Sequence, residues 1–203
     1  MAVVSGIEIN RGTVSVYVDG ALAMKLKKVW FDRQPLKEGD EVDIEAWENH
    51  LAPIQFNDAW EAALTSLDRS ARTEKELRAS LKRRGFVAPV IDAVAERLKE
   101  TGLIDDARYA ERMAELQSQK PVGLYAFRRK LMAKGITGDA AAEALAAFDE
   151  DQQRDACLEA ARRLFHKYEA LPPREGRAKL SQALARRGFG WDAIESTVEQ
   201  LFD

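Results

Sequence analysis

Three glycines, Gly85, Gly135 and Gly188, end the same apolar pattern at three places in the chain, 50 and 53 residues apart. Large apolar side chains stand eight and four residues before each glycine and one residue after it. They are Leu77, Leu81 and Phe86; Phe127, Leu131 and Ile136; and Leu180, Leu184 and Phe189. Residues four apart share one face of a helix, and glycine commonly ends helices in the left-handed conformation. The pattern therefore predicts a repeated helix and, from its long period, a repeat protein.

The helical period dominates from about Asn57 onward, with glycines and prolines between the apolar segments. We predict three three-helix repeats. They span residues 57–105, 106–149 and 150–203. In the first repeat, Thr73 and Glu76 match a capping box, and Pro89 suits the first turn of the following helix. The helices predicted for the other two repeats span 106–119, 122–134, 139–148, 150–171, 174–187 and 191–202.

Residues 1–52 carry a different pattern, in which apolar residues alternate with a period of two between turn signals. Residues 10–12 and 19–20, Asn-Arg-Gly and Asp-Gly, tolerate the positive φ angles of tight hairpin turns. We therefore predict a small antiparallel meander, followed by a short helix from Asp43 toward Leu51. The predicted fold class is mainly α: an elongated tandem array of three three-helix repeats, preceded by a small N-terminal antiparallel β segment.

The composition argues against several classes of function. The chain has 203 residues, a net charge of −3, one cysteine, Cys157, and two histidines, His50 and His166. This set does not supply a typical zinc site or a cysteine–histidine nucleophile pair, although a site of carboxylates alone stays open. We predict a packed thiol, no enzyme activity, no metal, no cofactor and no small-molecule substrate. No apolar run approaches the roughly 20 residues of a membrane span, and the opening residues lack the basic and then hydrophobic order of a signal peptide, so we predict a cytoplasmic protein.

Two other groups of residues have an ordinary structural explanation. Asp105 and Asp106 could act as a carboxylate pair, but a helix N-cap followed by an acid in the first turn accounts for both. Tyr109, Tyr125 and Trp191 could stack on nucleic-acid bases. Their helical spacing instead predicts that they pack in the core.

Cationic side chains concentrate on the second helix of each repeat, whereas the third helices are neutral to acidic. The candidates for binding a partner or DNA are Arg78, Lys82, Arg83, Arg84, Arg128, Arg129, Lys130, Lys134, Arg177, Lys179, Arg186 and Arg187. At about 100° per residue, Arg83 points away from the apolar stripe, so no core role explains it. Arg84 lies beside the stripe, where helix-end electrostatics explain a cation. A solvated face explains any single residue, but together they predict a basic stripe that follows phosphates or an acidic protein groove.

Several of these stretches resemble the RecX family of recombinase regulators. They are RTEKELRASLKRRGF at 72–86, GLIDDARYAERM at 102–113, KLMAKGI at 130–136 and ALARRGFGWDAIESTVEQL at 183–201. The N-terminal segments SVYVDGALAMKL and LKEGDEV resemble the extension that some members carry. The resemblance implies a cytoplasmic bacterial protein that binds the RecA recombinase filament along its groove and inhibits ATP hydrolysis and strand exchange. It also implies binding of single- or double-stranded DNA, and it places Asp105 and Asp106 in a linker between repeats.

Two other functions fit the same residues. A stand-alone nucleic-acid-binding module is the main alternative, because its basic second helices could contact phosphates, and such binding weakens steeply with salt. A generic helical-repeat scaffold is the other alternative. Against it, a period of 50 to 53 residues differs from both the roughly 34-residue tetratricopeptide unit and the ankyrin unit.

Overall fold

The structure is a computed structural model that describes residues 2–118 and 120–202. The strands are β1 (Ala2–Asn10), β2 (Thr13–Val18), β3 (Ala21–Lys27) and β4 (Glu41–Val42). The helices are α1 (Lys28–Phe31), α2 (Ile44–Arg69), α3 (Glu74–Arg83), α4 (Ala88–Glu100), α5 (Asp106–Ser118), α6 (Leu124–Lys134), α7 (Gly138–Ala146), α8 (Glu150–Phe165), α9 (Pro173–Arg186) and α10 (Trp191–Phe202). Within residues 2–118 and 120–202, no helix is both long enough and apolar enough to span a bilayer.

The elements confirm a mainly α fold with three three-helix repeats after a small β segment. The chain divides into two compact units, one ending at Asp105 and the other beginning at Asp106. The first unit contains the strands and α1 to α4, with α2, α3 and α4 as the first repeat. The second unit contains α5 to α7 and α8 to α10, the second and third repeats.

The N-terminal strands form an antiparallel sheet in the order β3-β2-β1-β4, which confirms the predicted meander. In the first hairpin turn, φ is 45° at Arg11 and 82° at Gly12. The second turn repeats this conformation, with φ of 48° at Asp19 and 82° at Gly20, as type I′ turns require. The sequence pattern does not predict β4, because two residues paired with the start of β1 are too few to show a period.

Helix α2 runs without a break from Ile44 to Arg69, through Pro53. The prediction of a short helix that ends near Leu51, apart from the helical region that begins near Asn57, is therefore wrong. A proline in a helix interior removes a hydrogen bond and costs about 3 kcal/mol, but a continuous buried stripe along α2 offsets this penalty. The stripe consists of Trp47, Leu51, Gln55, Ala59, Ala63 and Ser66. Packing along its whole length holds α2 in one piece.

The sheet and the first repeat share one hydrophobic core. Val16 and Leu26 from the buried face of the sheet lie in the same cluster as the side chains of α2, α3 and α4. Trp30 packs on Phe86 with 4.8 Å between ring centroids. The residues of α1 follow β3 directly and form a helical turn that buries Trp30 and Phe31, which the period of two does not predict. The N-terminal segment is thus part of the core of the first repeat.

The second unit has two apolar clusters, one for each of its repeats. Phe127 and Leu131 are fully buried in the cluster of α5 to α7, and Leu180 and Leu184 are fully buried in the cluster of α8 to α10. Cys157 is a buried free thiol in the second of these clusters, which confirms the predicted packed cysteine. Burial raises the pKa of this thiol.

The helix bounds in the second unit lie close to the predicted ones, with one larger difference. α8 ends at Phe165 rather than near Leu171. Tyr168 N donates to Phe165 O at 2.7 Å, a bond of the kind that tightens the end of a helix. The two prolines at 172–173 then restrict the backbone before them. The predicted last residue of α5, Gln119, lies outside the described residues.

The helix starts follow the predicted capping. Thr73 Oγ1 accepts a hydrogen bond from Glu76 N, and Glu76 Oε2 accepts one from Thr73 N, both at 3.3 Å. This confirms the capping box. Pro89 lies in the first turn of α4. Asp106 is the first residue of α5, the position that the capping explanation of Asp105 and Asp106 requires.

Replacing Leu81 or Leu184 by alanine tests the buried stripe of the second helices. The two side chains are 1% and 0% exposed, so each variant should lose about 2 to 5 kcal/mol of unfolding free energy through the cavity it leaves. Chemical denaturation followed by circular dichroism measures this loss. Met132→Ala is the control, because its side chain is 59% exposed and surface changes usually stay within about 0.5 kcal/mol. Similar losses in all three variants would contradict the assignment.

Candidate interaction surface at the second-helix caps

The second helices α3, α6 and α9 end in the same hydrogen-bond arrangement. At the end of α3, the amide of Gly85 donates to the carbonyl three residues back at 3.0 Å, and that of Phe86 donates to the carbonyl five residues back at 3.4 Å. Together with a left-handed glycine, these two bonds define a Schellman cap. The φ angles are 84° at Gly85, 86° at Gly135 and 83° at Gly188. The predicted glycine caps are therefore confirmed at all three positions.

The cap of α3 lies against the backbone of β3. A Cβ atom on Gly85 would lie 2.7 Å from Lys25 O and 3.2 Å from Leu26 Cα. Gln55, which is buried in α2, forms hydrogen bonds with the backbone at this cap. Its Oε1 accepts a hydrogen bond from Val87 N at 2.8 Å, and its Nε2 donates to Gly85 O at 3.4 Å. Glycine is thus needed here for its φ angle and for the close approach of another backbone.

The cap of α9 lies against the first turn of α6. Tyr125 N donates to Gly188 O at 3.0 Å, and Gly123 N donates to Arg187 O at 3.2 Å. A Cβ atom on Gly188 would lie 2.2 Å from Ala126 N, and one on Gly123 would lie 2.1 Å from the Gly188 backbone. The second and third repeats therefore meet through their main chains. The repeated Arg-Arg-Gly-Phe motif is a docking point in each unit.

Exposed arginines surround these docking points. Arg83 and Arg186 are the last residues of α3 and α9, and Arg84 is the cap residue of α3. Arg128 and Arg129 lie on α6. All five are exposed, and no carboxylate of residues 2–118 or 120–202 pairs with their side chains. An exposed guanidinium group that has no carboxylate partner can bind a phosphate or a carboxylate with two parallel hydrogen bonds.

Arg78 belongs to an ion-pair network inside the first repeat. Its Nε lies 2.6 Å from Glu74 Oε1, and its Nη1 contacts Asp92. Lys99 Nζ lies 3.3 Å from Glu74 Oε2. Burial raises the pKa of Glu74, but the hydrogen bonds from Arg78 and Lys99 outweigh burial and hold that pKa below its ordinary value. The network links α3 to α4, which accounts for Arg78 without an external partner.

The other candidate cations contact groups within the protein. The contacts are Lys130 Nζ with Gln117 Oε1 (2.8 Å), Lys134 Nζ with the Tyr109 ring centroid (5.6 Å), Arg177 Nη2 with Phe202 O (3.2 Å), Lys179 Nζ with Glu175 Oε1 (2.7 Å) and Arg187 Nη1 with Ala183 O (3.3 Å). Lys82 interacts with Glu48 through charge alone: burial raises the pKa of Glu48, and the positive charge of Lys82 lowers it. Most of these contacts lie at the surface, where such interactions are weak. The structure thus separates the candidates into engaged cations and the open arginines at 83, 84, 128, 129 and 186.

The prediction that Tyr125 and Trp191 pack in the core is wrong. Their side chains are 52% and 65% exposed, whereas Tyr109 is half-buried beneath Lys134. At about 100° per residue, Tyr125 lies about 160° from the buried Phe127, so the sequence did carry a signal for its exposure. Trp191 is the first residue of α10. Spacing along a helix cannot show whether neighbours cover its first turn.

The fold defines a helical-repeat protein. Models of the RecX family match the chain in order: the first three-helix domain matches residues 59–98, the second matches 105–145 and the third matches 150–198. The chain belongs to the RecX family, a family of regulatory proteins rather than of enzymes.

Several similar proteins carry the same family name, and the similarity extends over most of their length. The chain is 30% identical over 211 aligned residues to a Regulatory protein RecX of Clostridium perfringens (strain 13 / Type A), with 99% of this chain and 97% of that protein covered. It is 35% identical over 158 residues to one of Chlorobium phaeobacteroides (strain BS1), with 75% and 99% covered. A crystal structure of regulatory protein RecX superposes with a TM-score of 0.68 at 26% identity, over 98% of this chain and 100% of that one. RecX from Lactobacillus salivarius gives 0.66 at 25% identity, over 73% and 97%.

Alanine at the cap glycines tests the docking. Gly85→Ala and Gly188→Ala introduce a Cβ atom at positive φ and against another backbone. Gly102→Ala and Gly138→Ala are matched controls, because φ is 67° and 61° there and no described atom lies within 4 Å of the added Cβ. The controls should lose about 1 to 2 kcal/mol of unfolding free energy from left-handed strain, and the docking variants about 1 to 3 kcal/mol more. Denaturant unfolding measures both, and equal losses would contradict the docking.

Proposed function

We propose that this protein binds the filament of the RecA recombinase, inhibits its ATPase and strand-exchange activities, and so modulates recombination and DNA repair. The observation that carries the proposal is the match of all three RecX three-helix domains, in order, along the chain. Relatives named as regulatory proteins over nearly their whole length support the same role. In this proposal the protein acts in the cytoplasm through binding, without a cofactor or a small-molecule substrate.

The second helices supply the proposed contacts with the filament and its DNA. Arg83, Arg129 and Arg186 are exposed on α3, α6 and α9, one in each repeat. Arginine recognises phosphate and carboxylate groups with the same fork of donors, so these side chains suit either the DNA or an acidic groove of the filament. Their main chains are fixed in helices, which limits the entropy lost on binding. Inhibition by occupancy requires amounts of protein comparable to those of the recombinase.

A stand-alone nucleic-acid-binding module is the second candidate function. The exposure of Tyr125 and Trp191 supports it, because aromatic side chains on a basic surface stack with bases. This function predicts DNA binding that has no effect on the recombinase. The two candidates therefore differ in one enzymatic readout.

Titration into recombinase filaments tests the proposed function. Protein added to RecA filaments on single-stranded DNA should lower the rates of ATP hydrolysis and strand exchange in step with its ratio to the recombinase, because each bound copy occupies a length of filament. Filament length measured by electron microscopy in the same samples distinguishes shortening from blocking. Unchanged hydrolysis and strand exchange through a stoichiometric titration would rule the proposal out. Persistent DNA binding in that case would support the second candidate.

Charge reversal tests the role of the open arginines. The combined variant Arg83→Glu, Arg129→Glu and Arg186→Glu should bind the filament or DNA at least about tenfold more weakly, since a hydrogen bond to a charged group contributes about 1.5 to 3 kcal/mol. Its unfolding free energy should change little, because the three side chains are exposed. Filament co-sedimentation and fluorescence anisotropy measure binding.

A matched variant controls for net charge. Arg69, Arg112 and Arg162 are exposed on α2, α5 and α8, the first helix of each repeat, and pair with no carboxylate in the part of the chain that the structure describes. Reversing them to glutamate changes the total charge by the same amount. Binding by this control should stay within about threefold of the parent protein, the loss expected where only screened, long-range charge effects act. Equal weakening by both variants would contradict a role specific to the second helices.

A further inference from the structure

We propose that the region where α6 meets the cap of α9 binds unpaired bases of single-stranded DNA by stacking. Tyr125 and Trp191 supply the rings, and Arg128, Arg129 and Arg186 bind the phosphates beside them. We call these five residues the stacking platform. The inference rests on the proposed function, since it makes the DNA strand of the filament the partner of this part of the surface.

The two rings of the stacking platform lie on adjoining backbone segments. Tyr125 N donates to Gly188 O at 3.0 Å. The Tyr125 ring lies beside Gly190, with its Cε2 3.7 Å from where a Cβ atom of that residue would be. Trp191 follows Gly190 directly. Both aromatic side chains are more than half exposed, and within residues 2–118 and 120–202 no ring or cation packs on either of them. Their faces are open to a ligand.

The exposed face of α6 extends the apolar and cationic surface. Tyr125, Arg128, Arg129 and Met132 lie three, four and seven residues apart, so they share one face of the helix. Met132 is 59% exposed. Methionine is flexible and polarizable and packs well against aromatic rings. This face therefore offers flat and adaptable apolar groups between two open guanidinium groups.

The charge around α6 favours a polyanion as the partner. Residues 120–138 contain five cationic and no acidic side chains, in a chain whose net charge is −3. A run of one sign of charge attracts a phosphodiester backbone and releases its counterions. Protein surfaces present both signs of charge. The α6 segment thus matches a DNA strand better than it matches a protein.

Acidic residues near the platform leave only its α6 side favourable for phosphates. At the start of α8, Asp149 caps the helix and Arg154 pairs with both acids of the first turn. Asp192 lies in the first turn of α10, where it interacts favourably with the positive end of that helix. Glu195 is exposed one turn further on. We therefore assign the phosphates to the α6 side and Trp191 to the edge of the platform.

Stacking selects unpaired strands. In a duplex, neighbouring base pairs cover both faces of each base, whereas a single strand can place a base on an exposed ring. The backbone phosphates then lie within reach of arginine side chains in the same stretch of strand. The stacking platform therefore predicts that the protein prefers single-stranded to duplex DNA. It also predicts that this preference depends on Tyr125 and Trp191.

Fluorescence anisotropy with labelled oligothymidine, and with a duplex of equal length, tests the platform. Tyr125→Leu and Trp191→Leu should each bind oligothymidine about tenfold more weakly, the loss expected for one stacked base, and should bind the duplex as the parent does. Tyr125→Phe and Trp191→Phe keep a ring and should retain most of the binding. Leu116→Ala, which removes a side chain 65% exposed on α5, is the matched control and should bind like the parent.

Salt dependence separates the rings from the arginines. Arg128→Gln and Arg129→Gln should each reduce the slope of log affinity against log salt by about 0.7 for each phosphate of a single strand that the variant no longer neutralises. Tyr125→Leu should lower the affinity by the same factor at every salt concentration, because stacking releases no counterions. A Tyr125→Leu variant that changes the slope and binds like the parent at high salt would overturn the assignment.

Recombinase assays on the same variants keep this inference distinct from the proposed function. If the leucine variants bind oligothymidine like the parent but inhibit RecA less, the surface contacts protein: the inference is overturned and the proposed function stands. If they lose oligothymidine binding while the parent leaves RecA unaffected, the inference stands and the proposed function fails. Parental oligothymidine binding by both leucine variants overturns the inference whatever the ATPase rate shows.

Discussion

Backbone packing at the left-handed glycine caps is the interaction on which both units depend. Gly85 and Gly188 have φ angles of 84° and 83°, and another main chain occupies the place of a Cβ atom at each: Lys25 O at the first and Ala126 N at the second. Two independent requirements select glycine there, because helix termination needs positive φ and the close approach needs a residue without a side chain. The Arg-Arg-Gly-Phe motif recurs because each unit docks an earlier element of the chain on the end of a second helix.

The same docking separates the structural part of the motif from the part that is open to a partner. The carbonyl of Arg187 accepts a hydrogen bond from Gly123 N at 3.2 Å, whereas its side chain is exposed and contacts Ala183 O at 3.3 Å. The preceding Arg186 has an exposed side chain at the last position of α9. Main-chain groups thus hold the repeats together while the arginine side chains point to solvent. A surface built in this way loses less conformational entropy on binding than a mobile loop does.

Features that depend on residues within one helix could be predicted from the sequence, and features that depend on distant partners could not. The stripe containing Leu81 and the capping box of Thr73 are local patterns, and the structure has both. The continuity of α2 through Pro53 depends on burial along its whole length, and β4 depends on pairing with β1. In the site, the cation-rich second helices were visible in the sequence. The pairing of Arg78 with Asp92 on another helix was not, because sequence spacing says nothing about which helices adjoin.

Separation of charge along the chain reconciles a net negative charge with the proposed site for a polyanion. The net charge of −3 sums over segments of opposite sign: residues 120–138 have five cations and no acid, whereas α10 has three acids and no cation. Exposed charges act over a Debye length of about 8 Å at physiological ionic strength, so a phosphate beside α6 responds to the local cations rather than to the total. In the complex that we propose, the acids of α10 repel the strand from one side of the platform. In the proposed complex, the distribution of charge therefore sets where the strand lies as well as how strongly it is attracted.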